Sequence, residues 1–178
     1  SPMSRGLGDV YKRQGLFLPE TYFIQSGDTD LDVLIRARAA MQDALMGAWS
    51  ARNKSLPLTE PYEALILASI IEKETGVASE RPEIAGVFAR RLALGMRLQT
   101  DPTVIYGLGA EFSGNLTRRH LRDDNNPFNT YRIAGLPPTP IALPGKEAIM
   151  ASLNPTDGEA LYSVSYTHLR AHETSENR

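Results

Sequence analysis

Glu72, Lys73 and Glu74 close an apolar run that starts at Ala64, and a carboxylate in that setting could do acid–base chemistry. The run reads as a helix, so spacing decides which carboxylate meets water. At about 100° per residue, Tyr62, Leu65, Ile66, Leu67, Ile70 and Ile71 share one face. Glu72 falls on the far side and is expected in solvent. Glu74 lies about 56° from the centre of the apolar face, with Ile71, Ile70 and Leu67 as its helical neighbours. Glu63 shares that sector but sits in the first turn, where the helix dipole favours an anion. Glu74 sits in the last turn, where the dipole disfavours one. Apolar surroundings and the negative helix end are both expected to raise the affinity of Glu74 for its proton. A general acid working near neutral pH needs that property. The competing reading is a glutamate that snorkels to water or pairs with Arg90 or Arg97.

Two polar segments could receive the proton's target. One is Arg97-Leu98-Gln99-Thr100-Asp101-Pro102; the other is Asn126-Pro127-Phe128-Asn129-Thr130-Tyr131. Amides and hydroxyls with a flanking ring are the usual lining of a sugar groove, since rings stack on pyranose faces and amides read hydroxyls. The plainer alternative has Asn129 and Thr130 bonding loop backbone, with Phe128 and Tyr131 in the core. Asp101 is a poor second catalytic carboxylate, because an N-cap spends its oxygens on backbone N–H groups. Tyr106 sits on a short helix and could face core or cleft.

Helices must position these groups. Asp28 to Asp30 starts one helix, whose stripe is Leu34, Ile35, Met41, Leu45, Ala48 and Trp49. Thr59 caps a second, with Glu60 and Pro61 in its first turn, and Gly76 stops it. Ser79 caps a third, which buries Ile84, Val87, Phe88 and Leu92 and ends at Gly95. Asp101-Pro102 opens a short helix, Thr117 caps another to Leu121, and Lys146 to Leu153 is the last. Gly15 to Ile24 reads as extended. Met96 to Gln99 and Ala160 to Tyr162 read as short strands. Asn125 to Gly145 is too rich in Pro, Asn and Gly for a helix, and its apolar content predicts an ordered loop. The expected class is therefore α+β: mainly helical, with a small β-sheet and a long Pro/Asn/Gly-rich loop.

Ser1–Gln14 and Ser163–Arg178 lack apolar periodicity and resemble translated sequencing-adapter readthrough, so they stay outside the fold reasoning. That leaves one domain, residues 15–162, between two end segments, 1–14 and 163–178, expected to be non-native or disordered. It also removes His168 and His172 from any site. With 178 residues and 42% hydrophobic content the chain can bury a core. Its net charge of −2 argues against nucleic acid as a partner. Having no cysteine, it has neither a thiolate nucleophile nor a thiolate metal site, and with few histidines no metal is expected.

Several long motifs in one order carry a resemblance. They are FLPETY (17–22), ASIIEKET (68–75), ASER (78–81), RLALGMRLQTDPTVIYGLG (91–109), NTY (129–131) and GLPPTPIALPG (135–145). Together they resemble the YceG-like endolytic murein transglycosylase family across Gly15 to Tyr162. The resemblance implies an enzyme that cuts peptidoglycan glycan strands internally, between N-acetylmuramic acid and N-acetylglucosamine. It places the essential glutamate at Glu74, the second of the E-K-E triplet, and suggests Gln99, Thr100, Asp101, Tyr106, Asn129, Thr130 and Tyr131 for the groove. It implies no cofactor. It further implies a membrane anchor and a LysM-like module upstream, final strands downstream, a place outside the cytoplasmic membrane, and cell-wall synthesis enzymes as partners. Anchor, module and final strands are absent from residues 15–162. Three rivals stand beside it. A non-catalytic glycan-binding module would bind without turnover. A hydrolase would use Asp101 as second carboxylate. A pyridoxal-phosphate aminodeoxychorismate lyase would need Lys73 as its Schiff-base lysine, although no phosphate loop precedes it.

Overall fold

Helix α1 (Asp30–Ser50) begins at Thr29, whose side chain accepts from Asp32 N–H while the Asp32 carboxylate accepts from Thr29 N–H at 2.9 Å. The computed structural model describes residues 14–162, so the two end segments lie outside the description except for Gln14. The C-terminal half of α1 buries Met41 and Ala48 and rests Leu45 and Trp49 on the core. Its N-terminal half departs from the expected stripe: Leu34 is 47% exposed and Ile35 58%. That half buries Ala37 instead, where Leu18 N–H donates to Ala37 O at 3.1 Å and the extended segment before the helix lies against it.

Helix α2 (Pro61–Glu74) is the centre of the fold, buried without interruption from Ala64 to Ile71. Thr59 does not cap it as expected. Glu60 is the N-cap, and the Glu63 carboxylate reaches back to accept from Thr59 and from Glu60 N–H. A 3₁₀ turn, Ala78–Glu80, leads into α3 (Arg81–Ala93), so Ser79 lies inside that turn and Glu80 takes the cap position. Helix α4 spans Asp101–Leu108, α5 Arg118–Leu121 and α6 Lys146–Leu153. Helix α6 packs on α2, α3 and α1 and ties the bundle together. Its Ala148, Ile149 and Leu153 join Leu65, Leu67, Ile70 and Phe88 in one apolar core.

The expected α+β class is corrected: the described residues form no strand and no sheet. Met96 to Gln99 runs extended but finds no partner ladder. Met96 N–H bonds Arg91 O at 2.8 Å, the Arg91 guanidinium takes Leu98 O at 2.6 Å, and one backbone bond, Gln99 N–H to Thr130 O at 3.1 Å, ties it to the loop. Gln99 then turns into the left-handed region at φ 53°. Ala160 to Tyr162 is held the same way: Arg90 and Arg91 take the carbonyls of Ala160 and Leu161 at 2.7 and 2.6 Å. Guanidinium donors meet the hydrogen-bonding demand that strand neighbours would otherwise supply.

The long loop contains no helix, as its composition predicts, and it is ordered inward. Phe128, Asn129, Thr130, Thr139 and Ile141 are buried. Ser69, a hydroxyl inside α2, accepts Ile141 N–H at 2.9 Å and pins the loop to the core. On the other side Asn126 packs onto α4 at Gly107, where a Cβ would collide with the Asn126 amide.

Candidate active site

Glu74 is the last residue of α2, half-buried, and the chain beyond it is fixed. Thr75 is buried and extended, its hydroxyl donating to Glu80 at 2.7 Å and accepting Val77 N–H at 3.0 Å. Glu74 therefore cannot swing freely on its backbone. Its Oε2 accepts the Thr100 hydroxyl at 2.6 Å. Its Oε1 has no hydrogen-bond partner among the described residues. The carboxyl is thus oriented through one oxygen and left open through the other.

Thr100 is itself held. It is 3% exposed and caps α4, its N–H donates to Thr130 Oγ1 at 3.1 Å, and its carbonyl accepts Thr103 Oγ1 at 2.7 Å. Thr103 and Thr130 bond each other at 2.8 Å. Three buried threonines thus join the end of α2, the start of α4 and the long loop. Beside them is a pocket of ≈ 210 Å³ lined by Glu74, Gln99, Thr100, Arg91, Phe88 and Tyr162, among others. Outside that lining, the Tyr131 hydroxyl donates to Asp101 Oδ1 at 2.7 Å. Burial, that bond, and the negative charges of Asp101 and Glu74 push the Tyr131 phenol well above its ordinary value, against the opposing pull of Arg91.

The expected site residues thus divide. Glu74, Gln99 and Thr100 line one pocket, and Asp101 with Tyr131 lies close enough for the Glu74 charge to act on the phenol. Asp101 does not cap α4; Thr100 holds the cap position, and Asp101 binds Tyr131. Asn129 and Thr130 are fully buried behind this surface. Asn129 donates to the carbonyls of His120, Leu121 and Asp123 at 3.2, 3.3 and 2.8 Å, and its Oδ1 accepts Tyr131 N–H at 3.1 Å. Tyr106 packs edge-to-face on Phe128 with centroids 4.8 Å apart, against the core. Glu72, expected in solvent, is corrected: it pairs with Arg81 at 3.0 Å and accepts Gly145 N–H at 3.0 Å. Lys73 is exposed.

Sequence reasoning missed Arg91. It follows Val87 and Phe88 by four and three residues, so it falls on the buried stripe of α3. A cation at that position is a signal. It is 5% exposed, holds Leu98 O and Leu161 O, and stacks on the Tyr162 ring at 4.8 Å. Among the described residues no three His, Asp or Glu side chains gather as metal ligands.

The YceG-like family model matches residues 3–177, nearly the whole chain. The chain belongs to the YceG-like family. Two curated relatives bear the name endolytic murein transglycosylase. The one from Bacillus subtilis (strain 168) is 34% identical over 152 residues, covering 85% of this chain and 41% of that protein. The one from Streptococcus pneumoniae serotype 2 (strain D39 / NCTC 7466) is 34% identical over 161 residues, covering 89% of this chain and 29% of that protein. The chain thus spans well under half the length of these curated relatives. A crystal structure of a yceG-like protein from Listeria monocytogenes superposes with a TM-score of 0.70 at 33% identity, covering 91% of this chain and 55% of that one.

Proposed function

We propose that this chain carries the catalytic region of an endolytic murein transglycosylase, acting on peptidoglycan glycan strands between N-acetylmuramic acid and N-acetylglucosamine. Membership of the family and the names of its curated relatives support the substrate. One observation carries the mechanism: Glu74 is oriented through Oε2 by Thr100 and open through Oε1 at a pocket.

In this mechanism protonated Glu74 gives its proton to the glycosidic oxygen. The C1–O bond breaks, its electron pair leaving with that oxygen, and the oxocarbenium-like C1 is stabilised by the substrate's own acetamido group. The muramyl C6 hydroxyl then attacks C1, and its proton returns to Glu74. The product is a 1,6-anhydro end, with no water consumed. One carboxyl serves as acid and then base, so the second carboxylate of a hydrolase is not required. Gln99, Asp101 and Tyr131 offer an amide, a carboxylate and a ring to the sugar. Thr100 orients Glu74, and Thr130, Asn129 and Tyr106 act through the scaffold that holds Tyr131 and the start of α4. The intact protein works in the cell envelope, anchored in the cytoplasmic membrane with this region outside, beside cell-wall synthesis enzymes. Among the described residues no helix is long and apolar enough to cross a membrane.

Mass spectrometry of muropeptides after digestion tests this, with wild type and Glu74→Gln side by side. Anhydro-muramyl ends from the wild type and none from the variant are expected. Products heavier by one water would mark a hydrolase, and undiminished anhydro ends from the variant would discard the mechanism. Binding by both forms without turnover by either would mark a glycan-binding module.

A further inference from the structure

The stretch Thr117 to Arg122 reads TRRHLR, a cationic block in a chain whose net charge is −2. Arg118, Arg119, His120 and Arg122 line a recess of ≈ 820 Å³ together with Glu111 and Asp123. Seven other described arginines have partners: Arg36, Arg81 and Arg132 pair with carboxylates, and Arg52, Arg90, Arg91 and Arg97 donate to backbone carbonyls, while Arg38 stands alone on α1 among the described residues. Arg118, Arg119 and Arg122 make no side-chain hydrogen bond or ion pair among the described residues. Of the two acids that follow them, Asp123 lies in the recess wall and accepts Asn125 N–H at 2.9 Å, and Asp124 is taken by Arg132 at 2.6 Å. His120 is oriented, its Nδ1 accepting Thr117 N–H at 3.2 Å, which leaves Nε2 to carry the ring proton as a donor.

The recess is rigidly tied to the Glu74 site. The Asn129 amide grips the carbonyls of His120, Leu121 and Asp123 and at the same time accepts Tyr131 N–H. Helix α4 starts at Asp101, bonded to Tyr131, and ends at Leu108 in the recess wall, a span of about 12 Å for eight residues.

We propose that this recess binds the carboxylates of the peptide stems carried by the glycan strand, an inference that rests on the reading of the Glu74 site given above. Guanidinium forks match carboxylates in a planar, two-bond geometry. Glu111 and Asp123 in the same wall fit a ligand that also carries an ammonium group, as a peptide does, and they oppose a polyphosphate chain.

The test uses the full chain, the triple variants Arg118→Ala/Arg119→Ala/Arg122→Ala and Arg118→Lys/Arg119→Lys/Arg122→Lys, and two substrates. These are glycan strands bearing stems and strands stripped of stems by an amidase. The alanine variant is expected to raise KM on stem-bearing strands about tenfold, leave kcat alone, and match wild type on stripped strands. The lysine variant is expected to recover part of the loss. An equal loss on both substrates, or none on either, overturns the proposal. A separate titration of wild type with a free stem peptide, followed by NMR, needs no turnover. Binding that weakens in the alanine variant supports the recess even if no anhydro product ever forms. No binding by wild type, or tighter binding of inorganic polyphosphate than of peptide, overturns it.

Discussion

Glu72 and Glu74 sit two residues apart on α2 in opposite surroundings. Glu72 faces α3 and the start of α6, where Arg81 and Gly145 N–H occupy its oxygens. Glu74 faces α4 and the long loop, where a single hydroxyl holds one oxygen and the other is left open. The first arrangement closes a carboxylate into the scaffold; the second keeps one available. The same helix end thus carries one carboxylate that ties elements together and one with an oxygen that has no partner among the described residues.

The sharpest way to break this contrast is to neutralise each carboxylate in turn. Glu74→Gln is expected to lower turnover about 10²- to 10⁴-fold, the usual worth of a positioned acid–base group, while the melting temperature barely moves. Glu72→Gln is expected to do the reverse, costing about 1–3 kcal/mol in denaturant titrations through Arg81 and the start of α6, with turnover per folded molecule retained. Loss of turnover in fully folded Glu72→Gln would erase the distinction.

Thr100 measures how much orientation matters. Thr100→Val keeps the shape and removes the donor to Glu74, so kcat is expected to fall about ten- to a hundredfold. Thr100→Ser restores the hydroxyl and is expected to recover most of it. Equal activity in both variants would mean that Oε2 needs no holding.

The two glutamates also show what the sequence could carry. Apolar period alone puts Glu74 near the buried face of α2, and it finds α2 and α3 because their buried positions repeat locally. Glu72 escaped that logic, since Arg81 and Gly145 reach it from other elements and a helical wheel sees only one helix. The strands expected at Met96 to Gln99 and Ala160 to Tyr162 failed for a related reason. Whether an extended segment joins a ladder depends on what meets its carbonyls, and here Arg90 and Arg91 do. Side-chain chemistry pointed to the two polar segments that hold Gln99, Thr100, Asp101 and Tyr131, and the family resemblance named the residues within them. The plainer alternative for Asn129 describes it better, since its amide bonds backbone carbonyls at the end of α5, and the sequence could not show that Thr130 is buried against Thr100 and Thr103 at the start of α4.

A smaller effect separates the two sides at high pH. The Tyr131 phenol is raised above the ordinary 10.0 by burial, by Asp101 and by Glu74. The folded chain therefore keeps a proton that the unfolded chain releases. This contribution is complete below the unfolded value and is lost as pH rises through and beyond it. Tyr131→Phe is expected to flatten the alkaline limb of a stability–pH curve by about one proton in slope. A residual limb should remain, because Tyr22 and Tyr62 are raised as well. An unchanged limb would separate Tyr131 from the two carboxylates.

The smallest effect concerns Gln99, whose φ of 53° is unusual for a residue with a side chain. Left-handed backbone costs such a residue about 1–2 kcal/mol, and a glycine there would give back roughly 0.5–1 kcal/mol through the freer unfolded chain. Gln99→Gly is therefore expected to gain up to about 1 kcal/mol in stability. The strain is worth keeping only if it presents the amide to the pocket that Gln99 lines. KM should then rise about three- to tenfold with kcat unchanged, the loss of one hydrogen bond. Gln99→Ala discriminates further, since it keeps the strain and loses the amide, giving the same rise in KM without the gain in stability. If Gln99→Gly is more stable and its KM is unaltered, the strained turn serves the backbone alone: it closes the extended run at Met96 and delivers Thr100 to Glu74.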